Sequence, residues 1–205
     1  MKLEYRALEG IELRVEGDTT KKISGYAAKF NSLSENLGGF REKIAPGAFA
    51  SSIMSADVRL LLNHDGLPLA RTKSGTLKLS EDSIGLRFEA DVEMTDPDVQ
   101  RVIPKMQRGD LSQMSFGFYV KKDAWDNSNP SEAVRTLHEV DLFDVSLVTF
   151  PAYPQTQAHV RSAKDAYDSY VASLRAQEEA AKIEQQRALL AHQDRLNTLR
   201  LNKYV

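Results

Sequence analysis

Hydrophobic and polar residues alternate along much of the first 150 residues, a pattern typical of strands with one buried face. Near the start, "IELRVEG" and "KKISGYAAKF" lie on either side of a polar turn and predict a β-hairpin. "DVRLLLN" predicts a third strand, "TLKLSEDSIGLRFEADV" two more, and "LSQMSFGFYVKKDAW" and "AVRTLHEVDLFDVSLVTFPAYP" two long ones. Because closure protects short strands from edge pairing, we expect a mostly antiparallel, closed or nearly closed β-barrel.

Helical patterns flank and follow these strands. "IAPGAFASSI" predicts a short helix, and "DPDVQRVIPKMQRG" predicts another with an Asp-Pro start and a Gly stop. From Val160 to Leu201 there is neither Gly nor Pro, and the apolar residues at 167, 170, 171 and 174 have helical spacing. The predicted class is therefore mainly β with flanking helices (α+β), with a barrel domain at 1–160 and a helical extension at 161–205.

The composition narrows the class of protein. The 205 residues include 27 Lys and Arg and 29 Asp and Glu, so there is no basic field for nucleic acid. The absence of cysteine excludes disulfides, Cys-based zinc sites and a Cys nucleophile. The charged N-terminus and the lack of an apolar run of about 20 residues argue against a signal peptide and a membrane span. We expect a soluble, intracellular protein without a metal or cofactor, since metal-binding and nucleotide-binding fingerprints are missing.

His64 stands where an apolar strand changes abruptly into polar residues. In "RLLLNHDGLP", three leucines are followed by Asn63, His64, Asp65 and Gly66. A histidine held at a strand end is well placed to accept and return a proton near neutral pH. Asn63 and Asp65 are candidates to cap the turn or to orient the ring. A lone histidine is more often structural, so this interpretation needs a partner for His64.

Ser115 in "QMSFGF" is the candidate nucleophile. Strand alternation places Ser115 and Gly117 on one face and two phenylalanines on the other. The glycine would leave room for a substrate backbone beside the serine. A serine hydroxyl needs a base to take its proton, and His64 is the histidine in a suitable motif.

Three acids in "HEVDLFDVSLVTFPAYP" are candidates for the third member of the site. Alternation predicts that Asp144 shares the more apolar face with Leu142 and Ser146, whereas Glu139 and Asp141 lie on the other face. A buried carboxylate is costly without a partner, and an imidazolium would provide one for Asp144. Glu139 and Asp141 also fit solvated positions on an edge strand.

Six segments follow one another in a characteristic order: "ISGYAAKFN", "IAPGAF", "LLLNHDGLPLAR", "GLRFEADV", "MSFGF" and "EVDLFDVSLVTFPAYP". This ordered set resembles the prohead (procapsid maturation) proteases of tailed bacteriophages, across roughly residues 5 to 160. That family is similar in fold to the herpesvirus assemblins. The resemblance implies an assemblin-like β-barrel with flanking helices, a serine nucleophile at Ser115 and a histidine base at His64. Many relatives have a glutamate where this chain has Asp144, so Glu139, and less readily Asp141, remain alternatives for the third member.

The resemblance also implies a function, a place and partners. Such enzymes cut the scaffolding region from the major capsid protein, and commonly themselves, inside the assembling procapsid in the host cytoplasm. The extension at 161–205 would anchor the enzyme and be removed by self-cleavage, or else would stay packed on the barrel or form a homodimer. The alternatives are a catalytically silent capsid assembly or scaffold protein with the same barrel, and a small-molecule serine hydrolase. The missing GxSxG motif counts against the hydrolase.

Overall fold

The computed structural model describes residues 2–8, 14–16, 20–129, 132–150 and 157–201. The strands are β1 (Leu3–Leu8), β2 (Arg14–Glu16), β3 (Thr20–Lys29), β4 (Phe40–Ile44), β5 (Arg59–Leu62), β6 (Asp65–Arg71), β7 (Leu77–Glu81), β8 (Gly85–Glu93), β9 (Gln113–Asp126) and β10 (Ala133–Val148). The helices are α1 (Ala50–Ser55), α2 (Pro97–Arg108) and α3 (Gln157–Leu201). Residues 11–13, which begin the first predicted strand, and residues 151–154, which end the last one, lie outside the described residues.

The first sheet is built around β10. Its order is β1-β9-β10-β5-β6, and β4 pairs with β10 as well. β9 is antiparallel to β10, whereas β4 and β5 run parallel to it along successive stretches, β4 from Ala133 to Leu137 and β5 from Asp144 to Leu147. The parallel pairings make this sheet mixed, and they bring the end of β5 beside the end of β10.

The second sheet is antiparallel and has the order β2-β3-β8-β7. The predicted N-terminal hairpin is present as β2 and β3, which pair antiparallel. The described strands therefore form two sheets and no closed barrel, so the predicted α+β class is confirmed and the antiparallel barrel is not. The physical reason is that β10 has β9 on one side and both β4 and β5 on the other, so the first sheet grows outward from it and ends at the edge strands β1 and β6.

Aromatic and aliphatic side chains from both sheets form one buried core. Phe116 and Phe118 of β9 stack at 5.0 Å, and Phe49 meets Phe116 edge-on at 5.5 Å. Ile23 and Phe88 contribute from the second sheet and are also buried. The inner face of β9 is therefore fixed by packing, which leaves its opposite face to carry polar side chains.

The helix signals in the sequence are realised closely in α2. Asp96 caps the helix by accepting a hydrogen bond from the backbone N–H of Asp98, and Pro97 is the first helical residue. Gly109 ends the helix in the left-handed conformation, with φ of 83°. α3 is one continuous helix over the predicted helical region. None of the described helices has the length and apolar character needed to cross a membrane.

The chain divides into two compact units, Met1–Lys164 and Asp165–Val205. The ten strands of the described residues all belong to the first unit. The second unit contains most of α3.

A cluster of buried charges ties β1, β4 and β10 together. The Arg6 guanidinium donates to Glu42 at 2.8 Å and to Glu4 at 2.6 Å, and Arg135 donates to Glu42 at 3.1 Å and to Glu4 at 3.0 Å. Burial alone would lower the pKa of Arg6, but the charges of Glu42 and Glu4 hold that pKa above its usual value. Arg135 also donates to the partly exposed carboxylate of Asp123 at 2.7 Å. Each buried guanidinium thus has carboxylate partners at hydrogen-bond distance, which offsets the cost of burying these ions.

Candidate active site

His64 occupies a strained position in a two-residue hairpin turn. Leu62 of β5 pairs with Asp65 of β6, so Asn63 and His64 alone form the turn. Their φ angles are 54° and 60°, the values of a type I′ turn, in which glycine is the favoured second residue. A histidine there costs about 1–2 kcal/mol relative to an ordinary backbone conformation. Strain of this kind persists where the surroundings hold the residue in place and is common at functional sites.

Several hydrogen bonds hold the turn against the end of β10. The side-chain amide of Asn63 donates to Thr149 Oγ1 at 3.1 Å, and the Thr149 N–H donates back to Asn63 Oδ1 at 2.9 Å. The Asn63 N–H donates to the Leu147 carbonyl at 2.8 Å, and the His64 N–H donates to Ser146 Oγ at 3.2 Å. Asn63 therefore anchors the turn and does not orient the imidazole ring.

A β-bulge decides which face of β10 carries Asp144. Leu142 lies opposite Phe118, but Asp144 lies opposite Gly117, so Phe143 is an extra residue in β10. Because residues opposite each other share a face, Leu142 points to the core with Phe118, and Asp144 points away from it with Gly117. The predicted sharing of a face by Asp144 and Leu142 is therefore wrong.

The same register brings Ser115 and Ser146 side by side. Ser146 lies opposite Ser115, two residues along from the Asp144–Gly117 pair. Ser115, Asp144 and Ser146 are all buried. The side chains of Ser115 on β9 and of Asp144 and Ser146 on β10 therefore lie near one another on the same face of the first sheet.

His64 joins Ser115 and Asp144 into one hydrogen-bonded chain. Its Nε2 lies 2.7 Å from Ser115 Oγ, and its Nδ1 lies 2.6 Å from Asp144 Oδ1. Ser146 Oγ donates to the same Asp144 oxygen at 2.8 Å. The side chain of His64 keeps 12% of its surface exposed, whereas Ser115 has none. The sequence-predicted residues His64, Ser115 and Asp144 therefore lie in direct contact.

The hydrogen-bond partners of His64 decide which of its ring nitrogens carries the hydrogen. A carboxylate only accepts hydrogen bonds, so Asp144 requires that Nδ1 of His64 carries the hydrogen. In the neutral ring, Nε2 is then the nitrogen with a lone pair, and it accepts from the hydroxyl of Ser115. Such an arrangement can take the proton from a serine hydroxyl as that hydroxyl attacks an electrophile.

Gly117 makes room for the carboxylate and for an aromatic ring. A Cβ atom on Gly117 would lie 2.6 Å from Asp144 Oδ2 and 2.8 Å from Cε1 of Tyr5, closer than real Cβ contacts come. From the sequence, we expect Gly117 to make room for a substrate backbone. The observed neighbours are instead two side chains of the site itself.

Tyr5 is a part of the site that sequence reasoning missed. Its ring centroid lies 4.3 Å from that of His64, tilted by 55°. Burial, and then the negative charge of Asp144, raises the pKa of the Tyr5 phenol, so the side chain is neutral at physiological pH. Tyr5 reaches the site because it lies opposite Gly117 in the β1–β9 pairing, a non-local contact with no signal in the local sequence.

The other candidate acids have different partners. Glu139 accepts a hydrogen bond from Ser51 at 3.2 Å and lies 3.5 Å from the Lys121 ammonium. Asp141 lies 3.1 Å from the same Lys121 ammonium, and the Asp65 carboxylate accepts from the Gly66 N–H at 2.8 Å. The hydrogen bond to the His64 ring is made by Asp144.

The part of the chain that the structure describes contains no candidate metal-binding site. No group of three or more His, Asp or Glu side chains there is arranged to hold a metal ion. The chemistry available at this site is that of an alcohol, an imidazole and a carboxylate.

Comparison with known proteins places the chain in a family. The family model of the caudovirus prohead serine protease matches residues 9–169. Among curated proteins, the "Prohead protease" of Enterobacteria phage HK97 is 29% identical over 149 residues, which cover 70% of this chain and 62% of the relative. The chain thus spans about three fifths of that relative's length. No solved structure matches. Because the family model covers most of the sequence, including all three residues of the hydrogen-bonded chain, this protein belongs to the caudovirus prohead serine protease family.

Proposed function

We propose that this protein is a serine endopeptidase of phage procapsid maturation, with Ser115 as nucleophile, His64 as general base and Asp144 as the third member. The observation that carries the proposal is the pair of hydrogen bonds from one imidazole, 2.7 Å to the Ser115 hydroxyl and 2.6 Å to the Asp144 carboxylate. Membership in the prohead serine protease family supports the reaction class.

The reaction is acyl transfer to Ser115. Its Oγ attacks the peptide carbonyl while Nε2 of His64 takes the hydroxyl proton, and the same nitrogen then gives that proton to the leaving amine. Asp144 holds the ring in the tautomer with hydrogen on Nδ1 and stabilises the imidazolium that forms. General base catalysis of this kind contributes about 10²–10⁴-fold to the rate. Water then repeats the attack on the acyl-enzyme and releases Ser115.

The proposed substrate is the scaffolding region of the major capsid protein, inside the assembling procapsid in the host cytoplasm. The similarity to the phage HK97 prohead protease supports this assignment. The proposal assigns residues 1–160 to the protease domain and 161–205 to a helical extension. That extension anchors the enzyme to capsid or scaffold protein and is then removed by self-cleavage. The division of the chain after Lys164 supports a boundary in this region.

The proposal is tested by co-expressing the full chain with the major capsid protein of its phage. We expect truncated capsid protein with the wild type and none with Ser115→Ala. Purified wild-type chain should also be labelled by a fluorophosphonate at Ser115. Ser52→Ala is the matched control, because Ser52 is likewise a buried serine but its hydroxyl donates to the Val140 carbonyl at 2.6 Å.

The outcomes separate the candidate functions. Uncut capsid protein with both wild type and Ser115→Ala, together with no labelling, would favour the silent assembly protein. Labelling and hydrolysis of simple esters without capsid cleavage would favour a small-molecule hydrolase.

A further inference from the structure

The edge strand β1 places an aromatic side chain on the same face of the first sheet as the hydrogen-bonded chain. Tyr5 lies opposite Gly117 in the β1–β9 pairing, and Asp144 lies opposite Gly117 in the β9–β10 pairing. Residues opposite each other share a face, so the side chains of Tyr5 and Asp144 lie on the same face. The Tyr5 ring also contacts the His64 ring, with 4.3 Å between the centroids. Tyr5 therefore borders both members of the His64–Asp144 pair.

The β1 residue beside Ser115 is small. Ala7 lies opposite Ser115, two residues along from the Tyr5–Gly117 pair, and shares its face with Tyr5 because strand side chains alternate. The ring of Tyr5 thus stands at the Asp144 end of the site, and the methyl group of Ala7 stands at the Ser115 end, which a substrate carbonyl has to approach. This placement favours a role for Tyr5 in orienting the imidazole over contact with the bond to be cleaved.

The Tyr5 ring also lies beside the carboxylate oxygen of Asp144 that is turned away from His64. The position of a Cβ atom on Gly117 would be 2.6 Å from Asp144 Oδ2 and 2.8 Å from Tyr5 Cε1, so both atoms border the same point. Oδ2 is buried, and no residue in the described part of the chain donates a hydrogen bond to it. The C–H edge of an aromatic ring is the positive part of its quadrupole, so it is a more favourable neighbour for this oxygen than an aliphatic side chain.

Buried ion pairs hold the backbone of Tyr5 in place. Its chain neighbours Glu4 and Arg6 are buried, and Arg6 donates to Glu4 at 2.6 Å and to Glu42 at 2.8 Å. Arg6 also donates to the carbonyl oxygen of Tyr5 at 2.8 Å. The ring is therefore carried by a fixed stretch of backbone, although β1 is an edge strand.

We propose that Tyr5 is a positioning residue whose ring holds the His64 imidazole against Asp144 and keeps water from the hydrogen bond between them. The inference rests on the proposed function and leaves bond cleavage to His64, Ser115 and Asp144. Where water is excluded, a carboxylate stabilises a neighbouring imidazolium more strongly than it does in solvent. Tyr5 thus acts on the reaction through His64 and Asp144 and not by touching the substrate.

The first test is the rate at which a fluorophosphonate labels Ser115 in the full chain, at a temperature where each variant is folded. Tyr5→Ala should slow labelling by about 10- to 100-fold, because a small displacement of a reacting group has a large effect on the rate. Tyr5→Phe keeps the ring and should recover most of that loss. Tyr5→Leu keeps apolar bulk without a flat ring and should also slow labelling, so the test holds if Tyr5→Ala fails to fold.

Tyr26→Ala is the matched control. Tyr26 is likewise a partly buried tyrosine on a strand, but it lies on β3 of the second sheet and its hydroxyl donates to Asp82 at 2.6 Å. The control should keep the wild-type labelling rate in the folded protein.

Proton NMR provides a second measurement, which does not depend on turnover. In the wild type, the hydrogen on Nδ1 of His64 should give a far-downfield resonance that exchanges slowly with water. Its exchange should become faster in Tyr5→Ala and stay slow in Tyr5→Phe and Tyr26→Ala. A purely structural role of Tyr5 elsewhere in β1 would not change this resonance in a folded variant.

The contrary results are distinct. Wild-type labelling in Tyr5→Ala and Tyr5→Leu overturns the inference, and so does faster labelling, which would mean that the ring obstructs access to Ser115. Equal slowing by Tyr5→Phe and Tyr5→Ala would assign the effect to the hydroxyl and overturn the role of the ring. An exchange rate of the Nδ1 hydrogen that is fast in the wild type, or unchanged in Tyr5→Ala, overturns the exclusion of water. All of these leave the proposed function standing, whereas a wild type that is not labelled overturns the proposed function and this inference with it.

Discussion

Replacing Ser146 with alanine should weaken both the fold and the proposed reaction. Its hydroxyl donates to Asp144 Oδ1 at 2.8 Å and accepts from the His64 N–H at 3.2 Å. Ser146 is fully buried, so water does not readily replace either bond. The substitution takes the partner from the partly buried His64 N–H, at about 1–3 kcal/mol, and removes a bond to a carboxylate worth about 1.5–3 kcal/mol. Because the two effects overlap, we expect a loss of about 2–4 kcal/mol in the free energy of unfolding.

The effect on reactivity follows from the same contacts. Ser146 fixes the carboxylate that orients His64 and anchors the turn that carries His64. If the bond to Asp144 is needed when the imidazolium forms, its loss of about 1.5–3 kcal/mol corresponds to a roughly 10- to 100-fold slower reaction. The measurement is the rate of fluorophosphonate labelling of Ser115, at a temperature where the variant is folded.

Ser52→Ala is the matched control for this prediction. Ser52 is buried and also makes two hydrogen bonds, donating to the Val140 carbonyl at 2.6 Å and accepting from the Leu142 N–H at 2.9 Å. Its substitution should lower the free energy of unfolding by about 1–3 kcal/mol and leave the labelling rate of the folded protein unchanged. Equal labelling rates for wild type and Ser146→Ala, or equal slowing by both substitutions, would refute the positioning role of Ser146.

Two further substitutions test the site and the buried charges. Gly117→Ala should slow labelling by about 10²–10⁴-fold, because its methyl group would lie 2.6 Å from Asp144 Oδ2 and displace the carboxylate. The upper end of this range approaches the loss of about 10⁴-fold expected for Asp144→Asn. A wild-type labelling rate in Gly117→Ala would show that the carboxylate position is unimportant. Glu42→Gln should lower the free energy of unfolding in urea by about 1.5–3 kcal/mol, because its two arginine partners lose a charged acceptor but keep Glu4 and Asp123 as compensating carboxylates. Asp91→Asn, which breaks an exposed pair with Lys22, should have a far smaller effect, and similar losses from both would contradict the argument.

The sequence predicted the positions of the strands and helices better than the pairing of the strands. Alternation and end signals located most of the strands and α2, because they depend on local residue order. β4 and β6 were not among the predicted strands. The parallel pairing of β4 and β5 with β10 depends on contacts between distant segments, as does the charge cluster around Arg6. The expected closed or nearly closed barrel is absent from the described strands for that reason: local alternation does not show which strands pair, or that the first sheet ends at β1 and β6.

In the candidate site too, local features could be predicted from the sequence and contacts between distant segments could not. His64, Ser115 and Asp144 were selected by residue type, local setting and family resemblance, and they lie in contact. The bulge at Phe143 interrupts the alternation and re-aims Asp144, and nothing in the pattern of β10 marks it. Tyr5 was missed because its place beside His64 is set by the register of β1 on β9.

The hydrogen-bonded chain is assembled, but its nucleophile is enclosed. Ser115 has no exposed surface, and the Tyr5 ring lies against both His64 and the Gly117 backbone. For acyl transfer, a peptide carbonyl has to come within about 3–3.5 Å of Ser115 Oγ, which requires the groups that cover Ser115 to move. The strained Asn63–His64 turn is held in place by hydrogen bonds from Asn63 to Thr149 and from the His64 N–H to Ser146. In the proposed reaction, substrate binding therefore has to move the groups that cover Ser115, whereas His64 and Asp144 already lie at hydrogen-bond distance from each other.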